Sequence, residues 1–133
     1  MKDNFFVDSN IFIYLFEEDK DKYEITKKLL LKKPVVSTQV INENINVCIK
    51  KLKLPKNIAF KHAQKLISKS YLSLITYETI KLAFNICETL YFSYYDSLII
   101  ASALENNCSI LYSEDLQHNQ VIKNQLKIIN PFL

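Results

Sequence analysis

Asn4-Phe5-Phe6-Val7-Asp8-Ser9-Asn10-Ile11-Phe12-Ile13-Tyr14 is the stretch whose reading decides the fold. Its apolar run stops at Asp8-Ser9-Asn10, residue types that favour turns and helix caps, so it reads as a buried strand turning into a helix over Ile11 to Glu17. The same alternation continues downstream. Asp19 to Lys33 is helical and stops at Pro34. Val35-Val36 makes a very short strand. Ser37 or Thr38 caps a helix to about Leu52, with Ile41, Ile45, Cys48 and Leu52 on one face. Pro55 breaks that helix, and Lys56 to Ser70 is a further amphipathic one. Leu72 to Thr76 alternates like a strand, and Tyr77 to Tyr91 is helical with Ile80, Phe84, Cys87 and Tyr91 in register. Ser93 caps Tyr94 to Glu105, a helix apolar nearly all round and therefore central. Ser109 to Tyr112 is a strand, Ser113-Glu114-Asp115 the loop after it, and Lys127 to Asn130 a last strand ended by Pro131. Short apolar strands alternating with longer helices imply an α/β fold in three layers. Its central parallel sheet has four to five short strands, with helices on both faces. With no repeat, low-complexity tract or linker, residues 1–133 read as one domain.

Composition narrows the functions open to such a fold. The 133 residues are 49% hydrophobic and 23% charged, which suits a globular protein with a substantial core. No segment reaches the roughly 18 uninterrupted apolar residues of a membrane helix. The start, Met1-Lys2-Asp3, is charged at once and the apolar run after it is too short for a signal peptide, so a cytoplasmic protein with no membrane association is expected. The three cysteines, Cys48, Cys87 and Cys108, are odd in number and widely spaced, and read as small core hydrophobes rather than a disulfide framework or a zinc site. Without a single glycine, no Gly-rich phosphate loop can exist. Without arginine, phosphate contacts must come from Lys, amides or a metal. Residues 20–69 hold 13 of the 17 Lys against Asp21, Glu24 and Glu43 alone, a local balance of +10. This is either a polyanion-binding surface or a set of ordinary solvated helix faces.

Four carboxylates stand out by position. Ligands of open α/β sheets bind beyond the carboxyl ends of the strands. Asp8 directly follows the first strand, and Asp115 follows the strand ending at Tyr112. Position alone favours a local turn or capping role for each. Asp96 occupies the first turn of its helix, where an acid answers the helix dipole. It also shares a stripe with Ile99, Ile100 and Ala103, which points it toward the apolar interior and predicts a buried carboxylate needing a partner. Glu43 flanks the apolar face of its helix beside Val40 and Val47. If the four converge, their repulsion calls for a divalent cation, and an oxygen-only set without His or Cys suits Mg²⁺ or Mn²⁺ better than zinc.

These segments, in this order, resemble the motifs of PIN domains. Asp8-Ser9-Asn10-Ile11-Phe12-Ile13-Tyr14 is similar to the family's opening motif and Thr38-Gln39-Val40-Ile41-Asn42-Glu43 to its second. Tyr94-Tyr95-Asp96-Ser97-Leu98-Ile99-Ile100-Ala101-Ser102-Ala103 is similar to the third, and Leu111-Tyr112-Ser113-Glu114-Asp115-Leu116-Gln117-His118 to the fourth. The closing Ile128-Ile129-Asn130-Pro131-Phe132 also resembles this group. Among its members the chain most resembles bacterial toxins of the VapC type. The resemblance implies a parallel-sheet fold and Mg²⁺- or Mn²⁺-dependent cleavage of RNA leaving 5′-phosphate and 3′-hydroxyl ends. It also implies a homodimer and a small antitoxin partner. It makes Asp8, Glu43, Asp96 and Asp115 the catalytic acids, with Asp8, Asp96 and Asp115 on the metal and Ser9, Asn10 and Ser113 orienting them. Lys50, Lys51 and Lys53 would meet the RNA backbone. The pattern departs at Asn119, where relatives often carry Gly; Asn tolerates a positive φ better than most residues. His118 reads as a loop histidine outside the chemistry.

The alternative within the family is a non-catalytic RNA- or partner-binding module. Outside it, a phospho-acceptor receiver domain would need an acidic pair at the first strand end, where Ser9-Asn10 stands instead. Ile11, Phe12, Tyr14 and Phe16 are expected in the core, with a dimer face as the other reading.

Overall fold

The computed structural model describes residues 4–133; the charged opening Met1-Lys2-Asp3 lies outside the described residues. Strand β1 (Asn4–Val7) leads into a single helical turn, α1 (Ser9–Phe12), and then a 3-10 turn over Ile13–Phe16. The one helix expected over 11–17 is therefore split. Its Ile, Phe and Tyr residues lose rotamer freedom in a helix, which weakens the case for continuing it. The remaining elements are α2 (Lys20–Leu31), β2 (Val35–Ser37), α3 (Thr38–Lys50), α4 (Lys56–Lys69), β3 (Tyr71–Ser73), α5 (Tyr77–Leu90), α6 (Tyr94–Glu105), β4 (Cys108–Tyr112), β5 (Val121–Ile122) and β6 (Leu126–Ile129). Five helix starts are closed by side chains that satisfy free N–H groups: Asp8 for α1, Asp19 for α2, Ser37 for α3, Thr76 for α5 and Ser93 for α6.

The sheet has six strands in the order β3-β2-β1-β4-β6-β5. All neighbours are parallel except β5 with β6. Helices pack on both faces. The extra strand beyond the four to five expected is β5, two residues long, joined to β6 through Lys123, Asn124 and Gln125, the first two at φ 52° and 53°. Positive φ at both positions is the geometry of tight hairpins, usually signalled by Asn-Gly; Lys-Asn carries no such signal. The order in which strands are added reverses at β1. The chain runs outward to β2 and β3, then returns through α5 and α6 to place β4 on the other side of β1. The crevice beyond the C-terminal ends of β1 and β4 is thus the topological switch point of the sheet. Val7 pairs with Tyr112, so Asp8 and Ser113 emerge side by side.

The core carries Phe6, Phe12, Ile100, Leu111 and Ile128 fully buried. Helix α6 is buried without a break from Ser97 to Leu104, the central helix its composition requires. Helix α5 differs from expectation. It buries Thr79, Ala83 and Ile86, while Phe84 and Tyr91 are exposed and Ile80 and Cys87 are half-buried. Two apolar stripes run along this helix, and the core takes the one with small Ala83. Near the site, Ile11 and Phe12 are core as expected, but Tyr14 is half-buried and Phe16 is 37% exposed, lying edge-on to His62. No described helix is long and apolar enough to cross a membrane.

A chain without glycine must form left-handed positions from other residues. Lys33, Lys53, Tyr91, Asn107, Asn119, Lys123 and Asn124 all have φ between 52° and 71°. Asn119, where the resemblance leads one to expect Gly, takes φ 71°. Tyr91 caps α5 in this conformation with its ring 89% exposed. A Cβ is disfavoured there by more than glycine's entropy cost, so Tyr91→Gly should stabilise the protein by about 1 kcal/mol. A thermal melt reads this as a rise of a few degrees; an unchanged or lower midpoint would refute the strain.

Candidate active site

Asp8 is the side chain around which the crevice is built. It is 5% exposed. Its backbone N–H continues the sheet by donating to the Tyr112 carbonyl at 2.9 Å. Its Oδ1 caps α1 by accepting from the Ser9 N–H at 2.7 Å, so the capping role is real. Its Oδ2 accepts from the Ser113 hydroxyl at 2.9 Å and the Asn10 amide at 3.4 Å. Burial pushes its pKa up to about 6, partly offset by the bonds from Ser113 and Ser9, and the charges of Glu43 and Asp96 push it further up.

Glu43, half-buried on α3, is tied to Asp8 through one residue. The Ser9 hydroxyl lies 2.9 Å from Glu43 Oε1 and 3.3 Å from Asp8 Oδ1. Asp96 is half-buried, not buried as its stripe suggests. It sits in the first turn of α6, where the stripe leaves the core, and its N–H is capped by the Ser93 hydroxyl at 3.2 Å. Its charge still reaches Asp8. Asp115 is exposed and lines a cleft of about 420 Å³ together with Ser9, Asn10, Glu43 and Lys51. Lys50 and Lys53 are outside that wall. The turn after β4 is closed by Ser113, whose hydroxyl accepts from the Leu116 N–H, and not by Asp115. Among the described residues, no three Asp, Glu, His or Cys side chains stand close enough to share one metal ion.

Neighbouring groups escaped the sequence reading. Glu114 accepts from the Tyr14 phenol at 2.6 Å and pairs with Lys22 at 3.1 Å, and its own N–H donates to Asn10 Oδ1. This acid raises the pKa of both Tyr14 and Lys22. It anchors the Ser113–Asp115 loop to α2, over separations that no local pattern reveals. Asn44, fully buried on α3, donates to the Ser9 carbonyl at 3.3 Å and the Val40 carbonyl at 3.0 Å. Both amide hydrogens are thereby used, so Oδ1 is the acceptor for His62 Nε2 at 2.9 Å and that nitrogen carries the proton. Burial, with Lys65 nearby, lowers the His62 pKa to about 4, which keeps the ring neutral. The one signal for Asn44 was an amide-bearing residue in a helix interior, where it bonds the carbonyl four residues back. His118 plays a structural part, its Nδ1 accepting from the Asn130 N–H at 2.9 Å. Cys48 and Cys108 are buried free thiols and Cys87 is half-buried.

The described ion pairs are Lys22–Glu114 and Lys81–Glu78, and neither involves Asp8, Glu43, Asp96 or Asp115. Glu114 is neutralised by a lysine, whereas buried Asp8 faces two further acids with no described cation of the chain paired to it. An oxygen-only, negatively charged donor set of this kind fits a hard divalent cation. Adding Mn²⁺ near neutral pH should therefore raise the melting temperature, by about 3 kcal/mol of stability at a hundredfold excess over Kd. Equal melting in Mn²⁺ and EDTA would count against a cation site.

The fold and crevice define a parallel α/β protein with an acidic centre at its switch point. The chain belongs to the PIN-domain family, whose sequence model matches residues 5–124. Solved structures share the fold at 18% identity. One is the Mycobacterium tuberculosis toxin VapC20, described as cleaving the sarcin-ricin loop (TM-score 0.68, covering 84% of this chain and 90% of that one). Another is a toxin–antitoxin complex from Klebsiella pneumoniae (TM-score 0.69, 96% and 97%). A third is VapBC2 from Rickettsia felis bound to a DNA fragment from its promoter (TM-score 0.69, 95% and 98%). A search of curated proteins found no match.

Proposed function

We propose that this chain is one nuclease domain that hydrolyses RNA phosphodiester bonds with Mg²⁺ or Mn²⁺, and that it is the toxin of a toxin–antitoxin pair. The observation that carries the reading is buried Asp8, flanked by Glu43 and Asp96 and paired with no described cation of the chain. Family membership and the toxin folds it shares support the reaction class.

In this reading Asp8, Asp96 and Asp115 would hold the cation, and since no three described acids stand close enough to share one ion, exposed Asp115 would have to draw in toward the other two on binding. The chemistry such an ion would supply there is Lewis-acid polarisation of a phosphate oxygen and a lowered pKa for a bound water. Ser113 and Asn10 fix the Asp8 carboxylate, leaving its acceptor geometry preset. Glu43, held by Ser9, receives the proton of the attacking water, with Asp115 on the open side of the cleft. Lys51, in the cleft wall, meets the RNA backbone without reading sequence. The products carry 5′-phosphate and 3′-hydroxyl ends. An antitoxin and a homodimer complete the reading; the exposed stripe of α5 with Tyr77, Phe84 and Tyr91 is the face open to a second copy. The test is cleavage of a labelled RNA pool in Mg²⁺, Mn²⁺ and EDTA. Cutting in either metal and none in EDTA is expected. Cutting that persists in EDTA would contradict the reading.

A further inference from the structure

Asp115 stands in a loop that is fastened on both of its sides. Ser113 donates its hydroxyl to Asp8 Oδ2 at 2.9 Å and its N–H to the Ile129 carbonyl at 3.0 Å. Glu114 donates its N–H to Asn10 Oδ1 at 3.2 Å, and Leu116 donates its N–H to the Ser113 hydroxyl at 3.4 Å. Asp115 itself has no hydrogen bond or ion pair among the described residues. The one acid free to draw toward the centre is thus carried on a frame whose other members are tied.

The strongest of these ties is a closed ring of three side chains. Tyr14 Oη donates to Glu114 Oε1 at 2.6 Å, and Lys22 Nζ donates to Glu114 Oε2 at 3.1 Å and to Tyr14 Oη at 3.3 Å. The Lys22 ammonium also lies 4.6 Å from the Tyr14 ring centre and 5.2 Å from that of Phe132, and the two rings meet edge-on at 4.9 Å. Exposed ion pairs contribute little, because two long side chains must be held in one geometry. Here the lysine side chain is 31% exposed and that of Glu114 26%, and the two rings hold the ammonium in place. The 3-10 turn, α2, the loop after β4 and the C-terminal segment all meet at this point. Tyr14 and Glu114 line the cleft together with Asp115, whereas Lys22 does not. Of the two adjacent acids, Glu114 has both oxygens engaged and its charge answered, and Asp115 has neither.

We propose that Lys22 and Tyr14 are positioning residues for Asp115: by locking Glu114 against α2 they present Asp115 alone to the cation, and they act on cation binding only through it. The proposal rests on the ribonuclease reading and names what sets its metal affinity. Neither Lys22 nor Glu114 is a ligand in this account. Outer groups that orient a metal's ligands commonly change its affinity by about tenfold or more when removed.

The test measures Mn²⁺ binding by the full chain, with free Mn²⁺ counted by electron paramagnetic resonance at a temperature where each variant is folded. Lys22→Met should weaken Mn²⁺ by about tenfold. Tyr14→Phe keeps the ring on Phe132, loses only the hydroxyl, and should weaken Mn²⁺ in the same direction; it answers the question even where Lys22→Met fails to fold. Lys22→Arg keeps the charge beside Glu114 and should bind as wild type does. In an Asp115→Asn background Lys22→Met should cause no further loss, because its effect passes through Asp115. Additive losses would overturn the proposal. So would a lower melting temperature with an unchanged Kd, which makes the ring a support of the fold and nothing more. Tighter Mn²⁺ binding in Lys22→Met would overturn it as well, since the released Glu114 would then be a ligand itself. Wild type that binds no Mn²⁺ would sink the acidic-centre reading and the positioning role with it. Wild type that binds Mn²⁺ and cuts RNA, beside Lys22→Met and Tyr14→Phe with its Kd, would sink the positioning role alone.

Discussion

Asp8→Asn should abolish RNA cleavage, by about a thousandfold or more, while making the metal-free protein more stable near neutral pH. The two effects have one cause. In the folded chain burial holds the Asp8 pKa at about 6, against an ordinary value of 3.8. Between these values the folded state binds more protons than the unfolded one, so stability falls as pH rises. The contribution is intact below about 4 and is lost once pH passes 6, amounting to about 3 kcal/mol. Asn removes the charge and keeps the cap on Ser9, since Asn and Asp cap equally well. The variant should therefore melt several degrees above wild type in EDTA near neutral pH, with the gap closing toward pH 4. His62 titrates in the opposite sense over the same window, its depressed pKa costing stability as pH falls from 6.5 toward 4. Comparing the two proteins at each pH cancels that term. A variant that melts below wild type at neutral pH would mean that Asp8 stabilises the fold on its own.

The second large effect is expected at Asn44, which touches no substrate. Asn44→Ala strands the His62 Nε2–H and the Ser9 carbonyl inside the protein. Two buried groups without partners cost about 3 kcal/mol together, or roughly 10 °C in a melt. Because Ser9 spaces Asp8 from Glu43, residual cleavage should also fall severalfold at temperatures where the variant is folded. A melting point close to wild type would show that the His62–Asn44–Ser9 chain does not hold α4, α3 and α1 together.

Much of this was legible in the chain. Asp8 follows a strand and heads a helix, and the sheet register then has no choice but to put it beside Ser113. Ser37 and Ser93 announced their helices, because a cap is a local interaction. Asn119 met the demand for a positive φ that its departure from the family pattern raised. What was not legible is tertiary. Helix α5 carries two apolar stripes, and only packing against α6 decides that Ala83 faces inward and Phe84 outward. Asp96 lies on an apolar stripe, but the end of a helix can leave the core before the stripe ends. Glu114 looked like the neighbour of a catalytic acid, yet Lys22 and Tyr14, 92 and 100 residues away, make it an anchor.

The decisive comparison is cleavage of labelled RNA in Mn²⁺ by wild type and Asp96→Asn, purified identically. Asp96 is half-buried and its cap comes from Ser93, so the substitution leaves the fold intact. Metal-dependent cutting by wild type, lost in Asp96→Asn, is the expected result. Equal cutting by both proteins would contradict an acidic centre built on Asp8, Glu43, Asp96 and Asp115.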